Sequence, residues 1–202
     1  MKRKEDPRFI TGRGNYMDYI VLANMTHAAI VRSPYAHATI RGIDTSAAEQ
    51  MPGVVGVFTG EDIDLPPLPY AWQAAGVENN INTPYTLAKG EAHWVGDPVA
   101  VVVAETLEQA RDAADMIELD LVELPGVSDA EKAVQPGAPQ LHENAPNNIV
   151  FSWNCGKKEE TEQGLRDAEI VIRQKLRNQR MIATPMENRG AIAQYAAGTE
   201  EF

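Results

Sequence analysis

The sequence predicts a chain of α+β class, and three observations carry that expectation. Pro98 to Ala104 is an almost continuous apolar run, the pattern of a strand covered on both faces. Directly after it, Leu107, Ala110, Ala114 and Ile117 recur at helical spacing, with Glu108, Arg111, Asp112 and Asp115 turned the other way. Further on, Ala168 to Arg177 alternates: Ile170, Ile172 and Leu176 point to one side, Arg173, Lys175 and Arg177 to the other.

The remaining elements follow in order. Gly12 and Gly14 permit a turn, and Pro7 and Pro34 hold the chain extended on either side of the first strand. Met25 to Ser33 reads as that strand, and a second is expected around Ala38 to Ile43. Asp44 to Met51 reads as a short helix, with Ser46 and Glu49 at capping-box spacing and Pro52-Gly53 as its stop. Val54 to Thr59 is β-branched and aromatic, which favours a strand. Asp62 to Lys89, carrying Pro66, Pro67, Pro69 and Pro84, reads as a long irregular loop.

Thr106 and Gln109 are placed to cap the central helix reciprocally, and Leu119 to Leu124 reads as the next strand. Were these two strands parallel neighbours, their crossover would be right-handed. Ala104-Glu105-Thr106 puts an acid where a dinucleotide phosphate would sit, so no nucleotide site is expected there. Asp129 to Val134 predicts a turn or two of helix, and the Pro- and Asn-rich stretches at 135–139 and 144–148 are linker-like. Glu159 to Gly164 reads as a charged turn, and Ala191 to Tyr195 as the start of another strand. A strand begun there and left unpaired would expose its edge, so the sequence reads as an engineered fragment or as a subunit split from its partner.

At 202 residues with 44% apolar content, the chain can hold one sizeable core, or one domain and part of another. A formal net charge of −11 opposes nucleic-acid binding and docking on an anionic membrane. No apolar run has the length of a membrane span, and the charged start is not a secretory signal, so a cytoplasmic location is expected. The single cysteine, Cys155, excludes an internal disulfide and any cysteine cluster for zinc or iron–sulfur; a free, buried thiol is expected.

Among candidate sites, His27, His37, His93 and His142 show no metal-ligand spacing and are expected to satisfy local backbone, so no metal site is assigned. Ser33, Ser46 and Ser152 lack the glycines of a nucleophile elbow and the sequence shows no triad, so an unrelated α/β-type hydrolase stays open only if the isolated chain turns over simple esters. Asp62 with Asp64, and Glu159 with Glu160, read as solvated surface charge.

Five segments, in one order, resemble a single family. They are Glu5-Asp6-Pro7-Arg8-Phe9, Thr11-Gly12-Arg13-Gly14-Asn15-Tyr16, Val31-Arg32-Ser33-Pro34-Tyr35-Ala36-His37-Ala38, Pro52 to Gly60, and Val95-Gly96-Asp97-Pro98-Val99-Ala100-Val101-Val102-Val103-Ala104. The family is the molybdenum hydroxylases: xanthine dehydrogenase, aldehyde oxidase and the large subunit of molybdenum carbon monoxide dehydrogenase. The resemblance runs from about Glu5 to Phe202. It implies an α/β-hammerhead over residues 1–125, a linker at 126–148, and the first strands of a mixed α/β molybdopterin-binding domain, incomplete, at 149–202.

The resemblance also implies a molybdenum-pterin cofactor in the complete enzyme, FAD and 2Fe-2S clusters on partner subunits or domains, and hydroxylation of aldehydes or purine-like heterocycles, or oxidation of CO, with oxygen from water. The family's general base and glycine-rich cofactor loops match no stretch here, so no catalytic residue and no cofactor-binding residue is assigned. Pro185-Met186-Glu187-Asn188-Arg189 is similar to the family's Pro-Met-Glu-Pro-Arg, with Asn188 in place of the second Pro. Glu187 and Arg189 are therefore candidates for a place behind the cofactor's own contacts, or for an internal ion pair. On this reading the piece is scaffold: it packs against the rest of the subunit and walls the substrate channel. The alternative is a non-catalytic binding module that keeps only the hammerhead.

Overall fold

The computed structural model describes residues 3–69, 80, 83–179 and 181–202. In chain order they form α1 (Asp6–Ile10), β1 (His27–Arg32), β2 (Ala38–Asp44), α2 (Ser46–Glu49), β3 (Val54–Thr59), β4 (Glu91–Ala92), β5 (Pro98–Ala104), α3 (Leu107–Ala114), β6 (Glu118–Glu123), α4 (Ala130–Ala133) and α5 (Lys158–Asp167). Two units result, residues 26–158 and residues 1–25 with 159–202. Of the long irregular loop expected over Asp62 to Lys89, residues 70–79 and 81–82 lie outside the described residues.

The unit 26–158 holds two antiparallel three-stranded sheets, ordered β1-β5-β3 and β4-β2-β6. β5 is the central strand of the first, which explains its apolar run: Val99, Ala100, Val102 and Ala104 are fully buried. α3 lays Ala110 and Ala113 inward, and Ile117 follows them into the interior. Ala48, Ala100, Val102, Ala113 and Ile117 form the core, with Val31, Val54 and Val57 from the first sheet and Ile43 and Leu119 from the second packed around it. The cap of α3 is the expected one. Thr106 Oγ1 accepts the Gln109 N–H at 3.2 Å, and Gln109 Oε1 accepts the Thr106 N–H at 3.0 Å.

The structure corrects several expectations. β5 and β6 are not parallel neighbours; they lie in different sheets. β1 and β3 already occupy both edges of β5, so β6 pairs with β2 instead. No capping box forms between Ser46 and Glu49. Asp44 Oδ1 accepts both the N–H (2.9 Å) and the hydroxyl (2.6 Å) of Ser46, and Thr45 donates its hydroxyl to Glu49 at 2.6 Å.

The second unit departs further. Glu159 to Gly164 is not a turn but part of α5, whose first-turn acids Glu159 and Glu160 complement the helix N-terminus. Its exposed face pairs Gln163 with Asp167 at 2.8 Å and Arg166 with Glu162 at 4.0 Å. No strand forms over 168–177 or 191–195 among the described residues; one isolated bridge joins Ala196 and Glu201. Alternation alone does not make a strand, because the ladder needs a neighbour to bond. Cys155 is exposed rather than buried, within a stretch, 151–160, that is exposed throughout.

Candidate functional site

Sheet register builds the site. β2 and β4 pair Ala38 with Ala92 and Thr39 with Glu91, so His37 and His93 come next across the same ladder. Side chains two apart on a strand share a face, and Glu91 therefore points to the side that His93 takes. The two imidazoles stack with centroids 5.5 Å apart, and the Glu91 carboxylate lies 3.6 Å from His37 Nε2 and 3.4 Å from His93 Nε2.

Three local devices hold this arrangement. His37 is 6% exposed and is pinned at both ends: its carbonyl accepts the Leu124 N–H at 2.8 Å, and its Nδ1 meets the Pro125 carbonyl at 3.1 Å. Asp97, also buried, accepts the His93 N–H through Oδ2 at 2.9 Å, while the Ser33 N–H donates to the Asp97 carbonyl at 2.9 Å. A third imidazole arrives from the 141–144 segment. His142 stacks on His93 at 4.5 Å. Asn148 fixes that segment by accepting the Leu141 N–H at 2.9 Å and donating to the Ala133 and Pro139 carbonyls, each at 2.8 Å.

Glu91, His93, Asp97 and His142 line a cavity of about 440 Å³ together with Tyr85, Lys89 and Trp94. Burial pushes the pKa of His93 down, with Glu91 opposing and His37 adding to the effect. His142 is pushed down first by burial, then by its imidazole neighbours. Burial raises the pKa of Asp97 against the lowering effect of the His93 N–H. Lys89 donates to the Ile63 carbonyl at 2.8 Å and lies over the Tyr85 ring at 5.2 Å. The donor atoms of His37, Glu91 and His93 all fall within 4.8 Å of one another, so among the described residues these side chains could share a metal ion.

The other sequence candidates fall elsewhere. Glu187 accepts the Met17 backbone N–H at 2.7 Å, and among the described residues no ion pair joins it to Arg189. Asp62 caps a 3₁₀ turn by accepting both the N–H and the hydroxyl of Thr59, each at 2.7 Å, which lowers its pKa. Ser33 bonds locally with Tyr35. His27 begins β1, in the other sheet from β2 and β4.

Comparison with known proteins decides the family. Residues 11–125 match the sequence model of the aldehyde oxidase and xanthine dehydrogenase α/β-hammerhead domain. The chain belongs to the aldehyde oxidase and xanthine dehydrogenase family. Residues 141–202 match the molybdopterin cofactor-binding domain. The nicotine 6-hydroxylase large subunit of Paenarthrobacter nicotinovorans is 40% identical over 200 residues, which are 96% of this chain and 23% of that protein. The carbon monoxide dehydrogenase large chain of Hydrogenophaga pseudoflava is 35% identical, over 95% of this chain and 25% of its own length. The chain thus spans about a quarter of the length of these relatives.

Among solved structures, reconstituted CO dehydrogenase from Oligotropha carboxidovorans superposes with a TM-score of 0.69 at 34% identity, covering 84% of this chain and 22% of that one. Quinoline 2-oxidoreductase from Pseudomonas putida 86 gives 0.62 at 38% identity, over 71% of this chain and 18% of that one. The fold of this hammerhead family member is thereby the expected one. The residues present do not by themselves fit a pterin: every described residue from 151 to 202 is exposed, and an anionic pterin needs enclosing donors.

Proposed function

We propose that the chain is the N-terminal portion of a molybdopterin-dependent oxidoreductase that hydroxylates an aldehyde or a purine-like N-heterocycle, or oxidises CO, with oxygen taken from water. The carrying observation is the alignment of 96% of this chain with 23% of a nicotine 6-hydroxylase large subunit. FAD and 2Fe-2S clusters would reside on partner subunits or domains, and the assembly would be cytoplasmic. In support, no helix among the described residues is long and apolar enough to cross a membrane.

This piece acts as scaffold, packing against the remaining molybdopterin-binding region and walling the substrate channel, with no catalytic residue of its own. Two observations support that role. The unit 26–158 builds its own core, so it holds shape without the cofactor. By contrast, Ile170, Ile172, Leu176 and Ile182 are each 77% exposed or more, apolar surface of the kind that other protein covers. Within this reading Glu187 and Arg189 would sit behind the cofactor's direct contacts.

The test is metal and pterin content. Expressed with the remaining large-subunit sequence, the chain should co-purify with molybdenum and pterin; expressed alone it should carry neither and turn over no substrate. Pterin retained by the chain alone, or none in the joined subunit, would overturn the proposal.

A further inference from the structure

We propose that His37, Glu91 and His93 form a binding site for a divalent cation of the zinc class, opening on the 440 Å³ cavity. The inference is independent of the proposed oxidoreductase function and concerns an ion distinct from molybdenum.

The protonation pattern of His37 is the first argument. Its Nδ1 faces the carbonyl oxygen of Pro125 at 3.1 Å, and a carbonyl only accepts, so Nδ1 carries the hydrogen. In the neutral ring Nε2 is then a bare lone pair. That lone pair is buried and has no hydrogen-bond partner. The Glu91 carboxylate stands 3.6 Å from it, and is itself an acceptor. Two acceptors that face each other, the imidazole one buried, are reconciled by a cation between them.

Geometry is the second argument. Zinc held by nitrogen and oxygen at about 2.0–2.1 Å in a tetrahedron sets its donors about 3.3 Å apart. Glu91 lies 3.6 Å from His37 Nε2 and 3.4 Å from His93 Nε2, and the three donors are within 4.8 Å of one another. Little movement is needed for one ion to reach all three. The Nδ1–H to backbone-carbonyl bond of His37 is also the support that metal-bound histidines generally use to fix tautomer and ring angle. Two imidazoles and one carboxylate suit zinc over magnesium or calcium, which prefer all-oxygen sites. Three protein donors leave the fourth position to water, on the side of the cavity.

The test titrates the 202-residue chain, stripped with chelator, with Zn²⁺ by calorimetry and with Co²⁺ by visible absorption. One equivalent should bind, with the intense d–d bands of four-coordinate Co²⁺ and a rise in Tm that chelator reverses. Glu91→Gln and His93→Gln should each weaken binding at least tenfold, while His27→Gln leaves it unchanged. Glu91 is half-exposed and its amide is isosteric, so that variant keeps the fold even where His37 variants do not. Absence of stoichiometric binding, six-coordinate Co²⁺ spectra, or equal affinity in Glu91→Gln would each overturn the proposal; a proton shared by His37 and Glu91 would then fill the gap.

Discussion

The buried Asp97 carboxylate accepts the backbone N–H of His93 at 2.9 Å, tying the start of β5 to the residue that follows β4. Burial raises its pKa above the ordinary carboxylate value. A raised folded-state pKa gives stability that is complete below the unfolded value and is lost as pH rises through the folded one. Asp97→Asn keeps an acceptor for the His93 N–H and removes the buried charge. The expected result in urea denaturation is equal or greater stability at pH 7, and a loss of this part of the pH dependence. Asp97→Ala instead strands the N–H and should cost about 1–3 kcal/mol.

His93 and His142 predict the opposite slope. Burial, the largest cause for each, depresses their pKa below 6.5. The unfolded chain then takes up protons first as pH falls, so the stabilising contribution is present above pH 6.5 and is lost below it. Thermal melts in chelator between pH 8 and pH 5 should show a falling Tm, and His142→Gln should flatten the fall. An unchanged slope in that variant would show that the stacked imidazoles are not its source.

Packing at the first sheet gives a third expectation. Val102 is fully buried at the centre of β5, whereas Val55 on β3 is 63% exposed. Val102→Ala should cost about 2–3 kcal/mol, through lost burial and an unfilled cavity. Val55→Ala should stay within about 0.5 kcal/mol. Similar losses for both, measured by chemical denaturation, would place the core elsewhere.

The helix cap and the turn before β3 share one side chain. Gly53 has a φ of +81°, and a Cβ there would strike the Gln109 carboxamide that closes the cap of α3. Thr106→Ala should cost about 1 kcal/mol through the cap alone. Gly53→Ala should cost more, because it adds left-handed backbone strain and displaces Gln109. In the double variant the losses should sum to less than the two separately, since both act through Gln109.

What could be read in the sequence depended on range. β5 and α3 were legible because burial on both faces and a reciprocal Thr106–Gln109 cap are written within a few neighbouring residues. The antiparallel order β1-β5-β3 was not, since the partners of β5 lie far along the chain and nothing local names them. The histidine cluster stayed hidden for the same reason. His37 and His93 meet only through β2 and a β4 of two residues, too short for an alternation signal, and His142 arrives by way of Asn148. Glu91-Ala92-His93 is the one local hint, a carboxylate and an imidazole two apart on a strand. Over 168–177 the period-2 pattern was real, but a ladder requires a neighbouring strand.

The contact of Glu187 with Met17 is a third role for this carboxylate, beside the two weighed for Glu187 and Arg189 from the sequence. At 2.7 Å the carboxylate accepts a backbone N–H 170 residues away in the chain, linking the two stretches of their unit. Gly190 lies beside the same residue, where an added Cβ would collide with the Met17 thioether. If Glu187 serves this backbone contact, Glu187→Ala should speed amide hydrogen exchange at Met17 several-fold, and Glu187→Gln, which keeps an acceptor oxygen, should largely restore protection. Arg189→Ala should leave Met17 unaffected. Faster exchange at Met17 in Arg189→Ala, equal to that in Glu187→Ala, would show instead that the carboxylate reaches the Met17 N–H only with the arginine in place.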